Sequence, residues 1–155
     1  MTIKVGDAAP AFELAAEDGA TLRLADYAGR KVVLYFYPKD DTSGCTKEAI
    51  EFTALAADFA AADAVVVGVS KDSVASHAKF RAKYALGVGL GADPDGATVE
   101  AYGVWVEKSM YGRKYMGIDR STFVIDRTGR IAAAWHKVKV PGHAAEVLES
   151  IQSLA

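Results

Sequence analysis

The sequence predicts an α/β fold in which helices flank a central mixed β-sheet. Apolar runs of strand length alternate with amphipathic segments of helical length through most of the chain, an order typical of parallel strands joined by helices. An antiparallel strand pair and a last helix follow, and the pair makes the sheet mixed. The 155 residues are 51% hydrophobic and contain no repeat or linker, so we expect a single domain over residues 1–155.

An N-terminal β-hairpin and a buried strand are the first predicted elements. Residues 12–14 and 21–24 flank Asp18-Gly19, a dipeptide that is common in tight hairpin turns. Residues 32–37 are apolar without alternation, which predicts a strand that is covered on both faces.

A helix predicted from about Ser43 to Ala61 carries the only cysteine of the chain in its first turn. Its apolar positions recur at intervals of four and three residues, the spacing of one buried helix face. These positions are Cys45, Ala49, Phe52, Ala56 and Phe59. Because Cys45 opens this apolar stripe, we expect its side chain to be largely covered.

The remainder of the chain continues the alternation and ends in a hairpin and a helix. The predicted elements are a buried strand at 65–69, a helix from Asp72 or Ser73 to about Tyr84, a short strand at 88–90, a turn at 93–96, a short helix at 97–102, a loop at 105–117, strands at 122–125 and 131–135, and a C-terminal helix with Val147 and Ile151 on its inner face. The predicted loop is rich in aromatic and basic side chains.

The position of Cys45 favours a reactive thiol. The backbone N–H groups of a first helical turn have no partner within the helix, and the positive end of the helix dipole lies there. Both features favour the thiolate over the thiol, and a thiolate is a nucleophile. The alternative is an inert core residue, because free cysteines are commonly buried.

The residues around Cys45 resemble the active-site signature of the peroxiredoxins. Pro38, Thr42 and Cys45 stand as Pro-x-x-x-Thr-x-x-Cys. The wider strings at 35–48 and 117–123 are similar to the bacterioferritin-comigratory (PrxQ) subfamily, and the likeness covers nearly the whole chain. The resemblance implies a thioredoxin-like fold. It also implies a thiol-dependent peroxidase, which reduces hydrogen peroxide and organic hydroperoxides through a sulfenic acid on Cys45.

A lowered thiol pKa does not by itself account for fast peroxide reduction. A free cysteine of ordinary pKa is roughly 3% thiolate at pH 7, so full ionisation gains at most about 30-fold. Lowering the pKa by about 3 units costs about 20-fold in nucleophilicity. The two effects nearly cancel, so the acceleration must come mainly from stabilising the charge that moves from sulfur to the leaving oxygen.

The resemblance assigns that stabilisation to residues outside Cys45. Arg120 matches the active-site arginine of the family, and its guanidinium offers fixed donors to the sulfur and to the peroxide oxygens. The Thr42 hydroxyl is expected to accept from the peroxide O–H and to donate to the sulfur. Pro38, which has no backbone N–H, is expected to wall the pocket and to keep water off the sulfur.

Two further residues complete the expected site. The backbone N–H groups of Gly44 and Cys45 would bind the peroxide, and Glu48 would pair with Arg120 and orient it. The plainer alternatives are a surface role for Arg120, an N-cap role for Thr42 and a solvated first-turn acid at Glu48. No metal ion or other cofactor is expected.

The single cysteine decides how the sulfenic acid is expected to be recycled. Many PrxQ-like proteins carry a second cysteine where this chain has Ile50, and others carry one at a place corresponding to Arg81. Neither is present, so the resemblance points to a one-cysteine cycle. An external thiol such as thioredoxin, glutaredoxin or glutathione would then reduce the sulfenic acid.

Composition narrows the possible partners. The net charge of −2 gives no electrostatic case for binding nucleic acid or an anionic membrane. No apolar stretch approaches the roughly 20 residues that span a bilayer, and Met1–Asp7 has no apolar run like that of a signal peptide. We therefore expect a cytoplasmic protein that is a monomer or a weak dimer.

Other functional classes fit the sequence less well than a thiol-dependent peroxidase does. A dithiol exchanger needs Cys-x-x-Cys, and residue 48 is Glu. A cysteine hydrolase needs a histidine base, yet His77, His136 and His143 show no triad signature, and they show no metal-ligand spacing with Cys45. A one-cysteine redox sensor or a partner-binding protein on the same fold remains the main alternative. Multiple turnover with an added thiol separates the enzyme from the sensor.

Overall fold

The computed structural model describes residues 3–155. Residues 1 and 2, part of the N-terminal stretch predicted to carry no signal peptide, lie outside the described residues. The described elements are β1 (Glu13–Ala16), β2 (Thr21–Arg23), a 3₁₀ turn (Leu24–Tyr27), β3 (Lys31–Phe36), α1 (Ser43–Ala54), α2 (Ala56–Ala61), β4 (Ala64–Ser70), α3 (Val74–Tyr84), β5 (Gly89–Ala92), α4 (Ala97–Ala101), β6 (Trp105–Met110), β7 (Arg113–Ile118), β8 (Ser121–Ile125), β9 (Ile131–Trp135) and α5 (His143–Gln152).

Seven strands form one mixed sheet in the order β2-β1-β5-β4-β3-β8-β9. The central strands β3, β4 and β5 run parallel to one another. β8 pairs antiparallel with β3, and β1 pairs antiparallel with β5. The predicted mixed sheet with flanking helices and an N-terminal hairpin is therefore confirmed.

Strand β3 lies at the centre of the sheet and is buried along its whole length. Val33 and Tyr35 point into a core that also contains Phe52 of α1 and buried residues of α2, α3 and α5. Leu34 and Phe36 point to the other face, into a core that includes Val99 of α4. Apolar side chains covered on both faces explain why the sequence of β3 does not alternate.

The predicted helix at 43–61 is interrupted, which corrects the prediction of one continuous element. α1 ends at Ala54, and the Leu55 N–H donates to the carbonyl of Phe52, a 3₁₀-type closure that tightens a helix end. No Gly or Pro marks this break, so the sequence pattern gave no signal for it. None of the helices between residues 3 and 155 has the length and apolar run needed to cross a bilayer.

The segment predicted as a loop at 105–117 is a β-hairpin, so that prediction was wrong. β6 and β7 pair from Trp105 opposite Ile118 to Met110 opposite Arg113. Tyr111 and Gly112 both have positive φ, 52° and 77°, as the central residues of a type I′ turn require. Most side chains of both strands are at least partly exposed, so no apolar alternation revealed the strands.

Glycine at position 68 of β4 makes room for a buried ring. A Cβ there would lie 2.6 Å from Cζ of Tyr35, whose ring stacks on Phe52 at 4.7 Å between centroids. We expect Gly68→Ala to lower the free energy of unfolding by about 1–3 kcal/mol, because the fully buried ring cannot move away without strain. Urea unfolding measures the change.

Gly89→Ala in the neighbouring strand β5 is the matched control. A Cβ at that glycine would lie 3.4 Å from its nearest neighbour, the carbonyl oxygen of Val66. We expect this variant to change stability by less than about 1 kcal/mol. Equal losses in the two variants would contradict the close-approach argument.

Candidate active site

The site lies where β3 leaves the sheet and α1 begins. A loop from Pro38 to Thr42 joins them, and Cys45 is the third residue of α1. The first backbone hydrogen bond of the helix runs from Thr46 N–H to the Thr42 carbonyl at 2.8 Å. The amides of the three preceding helical residues therefore lie outside the helical ladder, at the positive end of α1.

Cys45 is buried, as its place in the apolar stripe predicted. The residue is 2% exposed and packs in the same core as Ala49 and Phe52. Its sulfur therefore lies at the edge of an apolar region, where water screens electrostatic interactions weakly.

The pairing of β3 with β8 brings Arg120 to Cys45. Phe36 lies opposite Ser121, so Arg120 lies at the end of β3 where the loop begins. Nη2 of Arg120 donates to the Cys45 sulfur at 3.3 Å, although the two residues are 75 positions apart. A Cβ at Gly44 would lie 3.2 Å from the same Nη2, so the absence of a side chain at Gly44 leaves room for the guanidinium.

Glu48 holds the other side of the guanidinium. Nη1 of Arg120 donates to Glu48 Oε1 at 2.7 Å, and the carboxylate side chain is only 1% exposed. Burial raises the pKa of the Glu48 carboxyl to about 7, although the Arg120 charge and hydrogen bond oppose the shift. Burial also acts to lower the pKa of Arg120, but Glu48 and Cys45 outweigh it and raise that pKa above its usual value. The guanidinium is therefore charged and held between sulfur and carboxylate.

Thr42 and Pro38 lie at the surface of the site and make no hydrogen bond to the sulfur. The Thr42 hydroxyl donates to the Lys39 carbonyl at 2.8 Å, so the expected donation from Thr42 to sulfur is absent. Its oxygen still has lone pairs that can accept from a substrate O–H. Thr42 has the extended backbone of an N-cap, but its side chain makes no capping hydrogen bond.

A groove of about 420 Å³ begins at Pro38. Its walls are mostly apolar or aromatic, with Trp105 and Ile118 from the β6–β7 hairpin and the stem of Lys71. The Lys71 ammonium lies 4.1 Å from the centroid of the Trp105 ring, a cation–π contact. The groove therefore lies between Pro38 and the β6–β7 hairpin.

Histidine does not serve as the base of a hydrolase here. The single hydrogen bond to the sulfur found among residues 3–155 comes from Arg120. His77 contacts Asp40, His136 contacts Ser121 and His143 contacts Thr122. The Cys45 site therefore has an electrostatic partner rather than the nucleophile–base pair of a hydrolase.

Sequence reasoning missed a buried polar cluster behind the loop, formed by Tyr37, Asp40, Ser76 and His77. Asp40 was visible between Pro38 and Thr42, but two of its partners, Ser76 and His77, lie more than 30 positions away on α3. His77 lies within the predicted helix that ends near Tyr84, but no spacing in the sequence connects it to Asp40.

A buried thiol in contact with a fixed guanidinium can attack an electrophile whose leaving group becomes negative. The same guanidinium can then stabilise charge on the sulfur before the reaction and on the leaving atom after it. An O–O bond suits this arrangement, because the leaving oxygen lies one bond away from the atom that is attacked.

Known proteins match the chain in sequence and structure. The AhpC/TSA family matches residues 5–134. The putative peroxiredoxin Bcp of Coxiella burnetii is 52% identical over 96% of this chain and 98% of its own length. A cysteine-to-serine mutant of Xylella fastidiosa PrxQ has a TM-score of 0.93 and 41% identity, covering 99% of this chain and 98% of that one.

A further relative connects this fold to a reaction. The bacterioferritin comigratory protein of Xanthomonas campestris, studied for its alkyl peroxide reduction activity, has a TM-score of 0.88 and 44% identity over 92% of this chain and 90% of its own. These likenesses give the chain the thioredoxin-like fold that was predicted. The chain belongs to the AhpC/TSA family, in its Bcp (PrxQ) branch of peroxiredoxins.

Proposed function

We propose that this protein is a thiol-dependent peroxidase that reduces hydrogen peroxide and organic hydroperoxides at Cys45. The observation that carries the proposal is the 3.3 Å contact between the Arg120 guanidinium and the Cys45 sulfur in a buried site. The peroxiredoxin relatives and the alkyl peroxide reduction studied in the Xanthomonas campestris protein support the reaction class.

The reaction transfers one oxygen from the peroxide to sulfur. The Cys45 thiolate attacks the hydrogen-bearing oxygen of R–O–O–H, so the S–O bond forms as the O–O bond breaks. The bonding electron pair leaves with the alkoxide, which takes up a proton and departs as R–OH. Sulfur is oxidised to sulfenic acid and the peroxide is reduced.

Arg120 supports this step through geometry that already exists before substrate binds. One nitrogen of the guanidinium contacts sulfur, and the other is fixed by Glu48. Its remaining N–H groups can donate to both peroxide oxygens, and a preorganised donor costs no reorganisation as the charge moves. Gly44 provides the space, the Thr42 oxygen accepts the peroxide O–H, and Pro38 forms the rim.

Recycling requires a thiol from outside the chain. Ile50 is 45% exposed on α1, and Arg81 donates to the Val88 carbonyl and pairs with Glu17. A first external thiol attacks the sulfenic sulfur and releases water, which leaves a mixed disulfide, and a second thiol reduces that disulfide. Because Cys45 is buried, the first turn of α1 or the adjoining loop must open before a thiol can reach it.

Thioredoxin, glutaredoxin and glutathione are the candidate reductants. A cysteine pair in thioredoxin or glutaredoxin supplies both thiols in one encounter, whereas glutathione supplies them in two. Several other expectations stay predictions. They are the single domain, the monomeric or weakly dimeric state and the cytoplasmic location. They also include the absence of a resident cofactor, of a nucleic-acid partner and of membrane binding.

Turnover distinguishes the peroxidase from a one-cysteine sensor. With excess hydrogen peroxide and dithiothreitol, the wild-type protein should consume many equivalents of peroxide per chain above the uncatalysed rate. Cys45→Ser should add nothing to that rate, because the nucleophile is lost. Peroxide consumption that stops after one equivalent would identify a sensor, and an active Cys45→Ser protein would exclude Cys45 as the nucleophile.

The raised pKa of Glu48 predicts how stability depends on pH. Below about pH 4.5 the carboxyl is protonated in both states, and its contribution to stability is fully present. As pH rises from there through about 7, the unfolded chain ionises first, so the wild type should lose up to about 3 kcal/mol relative to Glu48→Gln. Urea unfolding of both proteins at pH 5 and pH 8 measures this difference.

Glu149→Gln controls for the removal of one carboxylate from an exposed helix position. A difference between wild type and Glu48→Gln that stays constant from pH 5 to pH 8 would show that Glu48 ionises as readily when folded as when unfolded.

A further inference from the structure

The loop that carries Pro38 and Thr42 is fastened to α3 by buried hydrogen bonds. Asp40, which lies midway between those residues, accepts from the Tyr37 hydroxyl at 2.6 Å through Oδ1. Its Oδ2 accepts from the Ser76 hydroxyl at 2.8 Å and lies 2.7 Å from Nδ1 of His77. His77 is fully buried, so this carboxylate and imidazole meet in a region that excludes water.

The two ring nitrogens of His77 face different partners. Nδ1 faces the Asp40 carboxylate, and Nε2 lies 3.2 Å from the Gly91 carbonyl oxygen, which can only accept. Each ring nitrogen of His77 therefore lies within hydrogen-bond distance of an oxygen. Burial acts to raise the pKa of Asp40, but hydrogen bonds from His77, Tyr37 and Ser76 outweigh burial and lower it. Asp40 and His77 thus form a buried hydrogen-bonded pair.

A second carboxylate fixes the backbone of the same loop. The Asp40 N–H donates to Asp72 Oδ2 at 2.8 Å, and the Ser70 hydroxyl donates to that same oxygen at 2.6 Å. Asp40, Asp72 and His77 offer ligand atoms within 4.8 Å of one another, as a cation site would. These groups instead hydrogen-bond to one another and to hydroxyl and backbone groups. The cluster therefore holds the loop in place.

The neighbouring tether at Asp41 is different in kind. Asp41 has a positive φ of 58° and pairs with Lys83 of α3 at 2.8 Å, with both side chains well exposed to solvent. An exposed pair of this sort stabilises weakly. The exposed Asp41–Lys83 pair therefore provides a control for the buried Asp40–His77 pair on the same loop and the same helix.

We propose that the His77–Asp40 hydrogen bond is a positioning element for peroxide reduction, holding the Pro38–Thr42 loop over Cys45 from α3. The proposal rests on the proposed peroxidase function. A single intramolecular hydrogen bond adds only modestly to stability, because it replaces hydrogen bonds to water. Here the pair fixes Asp40 two residues from both Pro38 and Thr42, where small displacements change the geometry offered to a peroxide.

Two substitutions of the buried His77 test which of its two hydrogen bonds supports peroxide reduction. In His77→Asn the amide nitrogen can take the place of Nδ1 and keep the bond to Asp40. In His77→Gln it can take the place of Nε2 and keep the bond to Gly91. The readout is the single-turnover rate constant for Cys45 oxidation by hydrogen peroxide, per folded molecule, with the unfolding midpoint recorded alongside.

We expect the Asn variant to react within about threefold of wild type and the Gln variant to react at least about tenfold more slowly, since misplacement by about 1 Å can cost about 100-fold. Alkylation of Cys45 by iodoacetamide should change by less than about threefold in both, since that reaction does not need the loop to position an O–O bond. Lys83→Met should leave the peroxide rate within about twofold of wild type.

A purely structural role for His77 predicts lower unfolding midpoints in both variants with equal peroxide rates per folded molecule, and that result would overturn the proposal. If the Gln variant does not fold, Ser76→Ala removes one partly exposed hydrogen bond to Asp40 and should slow peroxide reduction by about threefold. A wild-type rate of peroxide reduction in Ser76→Ala would then count against a positioning role for the His77–Asp40 pair. Failure of the peroxidase function itself is recognised separately, as a wild-type protein that does not turn over peroxide.

Discussion

The contact between the Arg120 guanidinium and the Cys45 sulfur depends on two separate parts of the fold. Parallel pairing of β3 with β4 buries the strand that leads into α1, and antiparallel pairing of β3 with β8 brings Arg120 to the end of that strand. A one-residue slip of β8 would turn Arg120 to the other face of the sheet. The pairing register of β8 with β3 therefore determines whether Arg120 can contact the Cys45 sulfur.

Burial makes this contact strong and also makes it costly. Arg120 and Glu48 meet beside the Cys45 sulfur at the edge of an apolar core, where electrostatic interactions are weakly screened. Glu48 Oε2 and the nearby Tyr35 hydroxyl are buried, and neither has a hydrogen-bond partner among residues 3–155. Unpaired buried polar atoms destabilise a fold, so the site trades stability for a preorganised guanidinium, as functional sites commonly do.

Much of the fold followed from local patterns, and the limits of those patterns are physical. The unbroken apolar run of β3 predicted that this strand is buried, and the apolar stripe of α1 predicted that one face of the helix is buried. The β6–β7 hairpin escaped prediction because its strands bury little and so show no alternation. At the site, position in α1 marked Cys45, and family resemblance marked Arg120. The Thr42–Lys39 and Asp40–His77 hydrogen bonds depend on loop conformation and on packing against α3, which sequence spacing does not encode.

The most direct test of the account compares two electrophiles in Arg120→Ala, with exposed Arg23→Ala as the control. Stopped-flow measurement gives the rate constants of Cys45 with hydrogen peroxide and with iodoacetamide, which has no O–O bond. If the guanidinium stabilises charge on the leaving oxygen, the peroxide rate constant should fall at least about 100-fold while alkylation falls less than about tenfold. Equal losses with both reagents would show that Arg120 only sets the amount of thiolate, and would contradict the account.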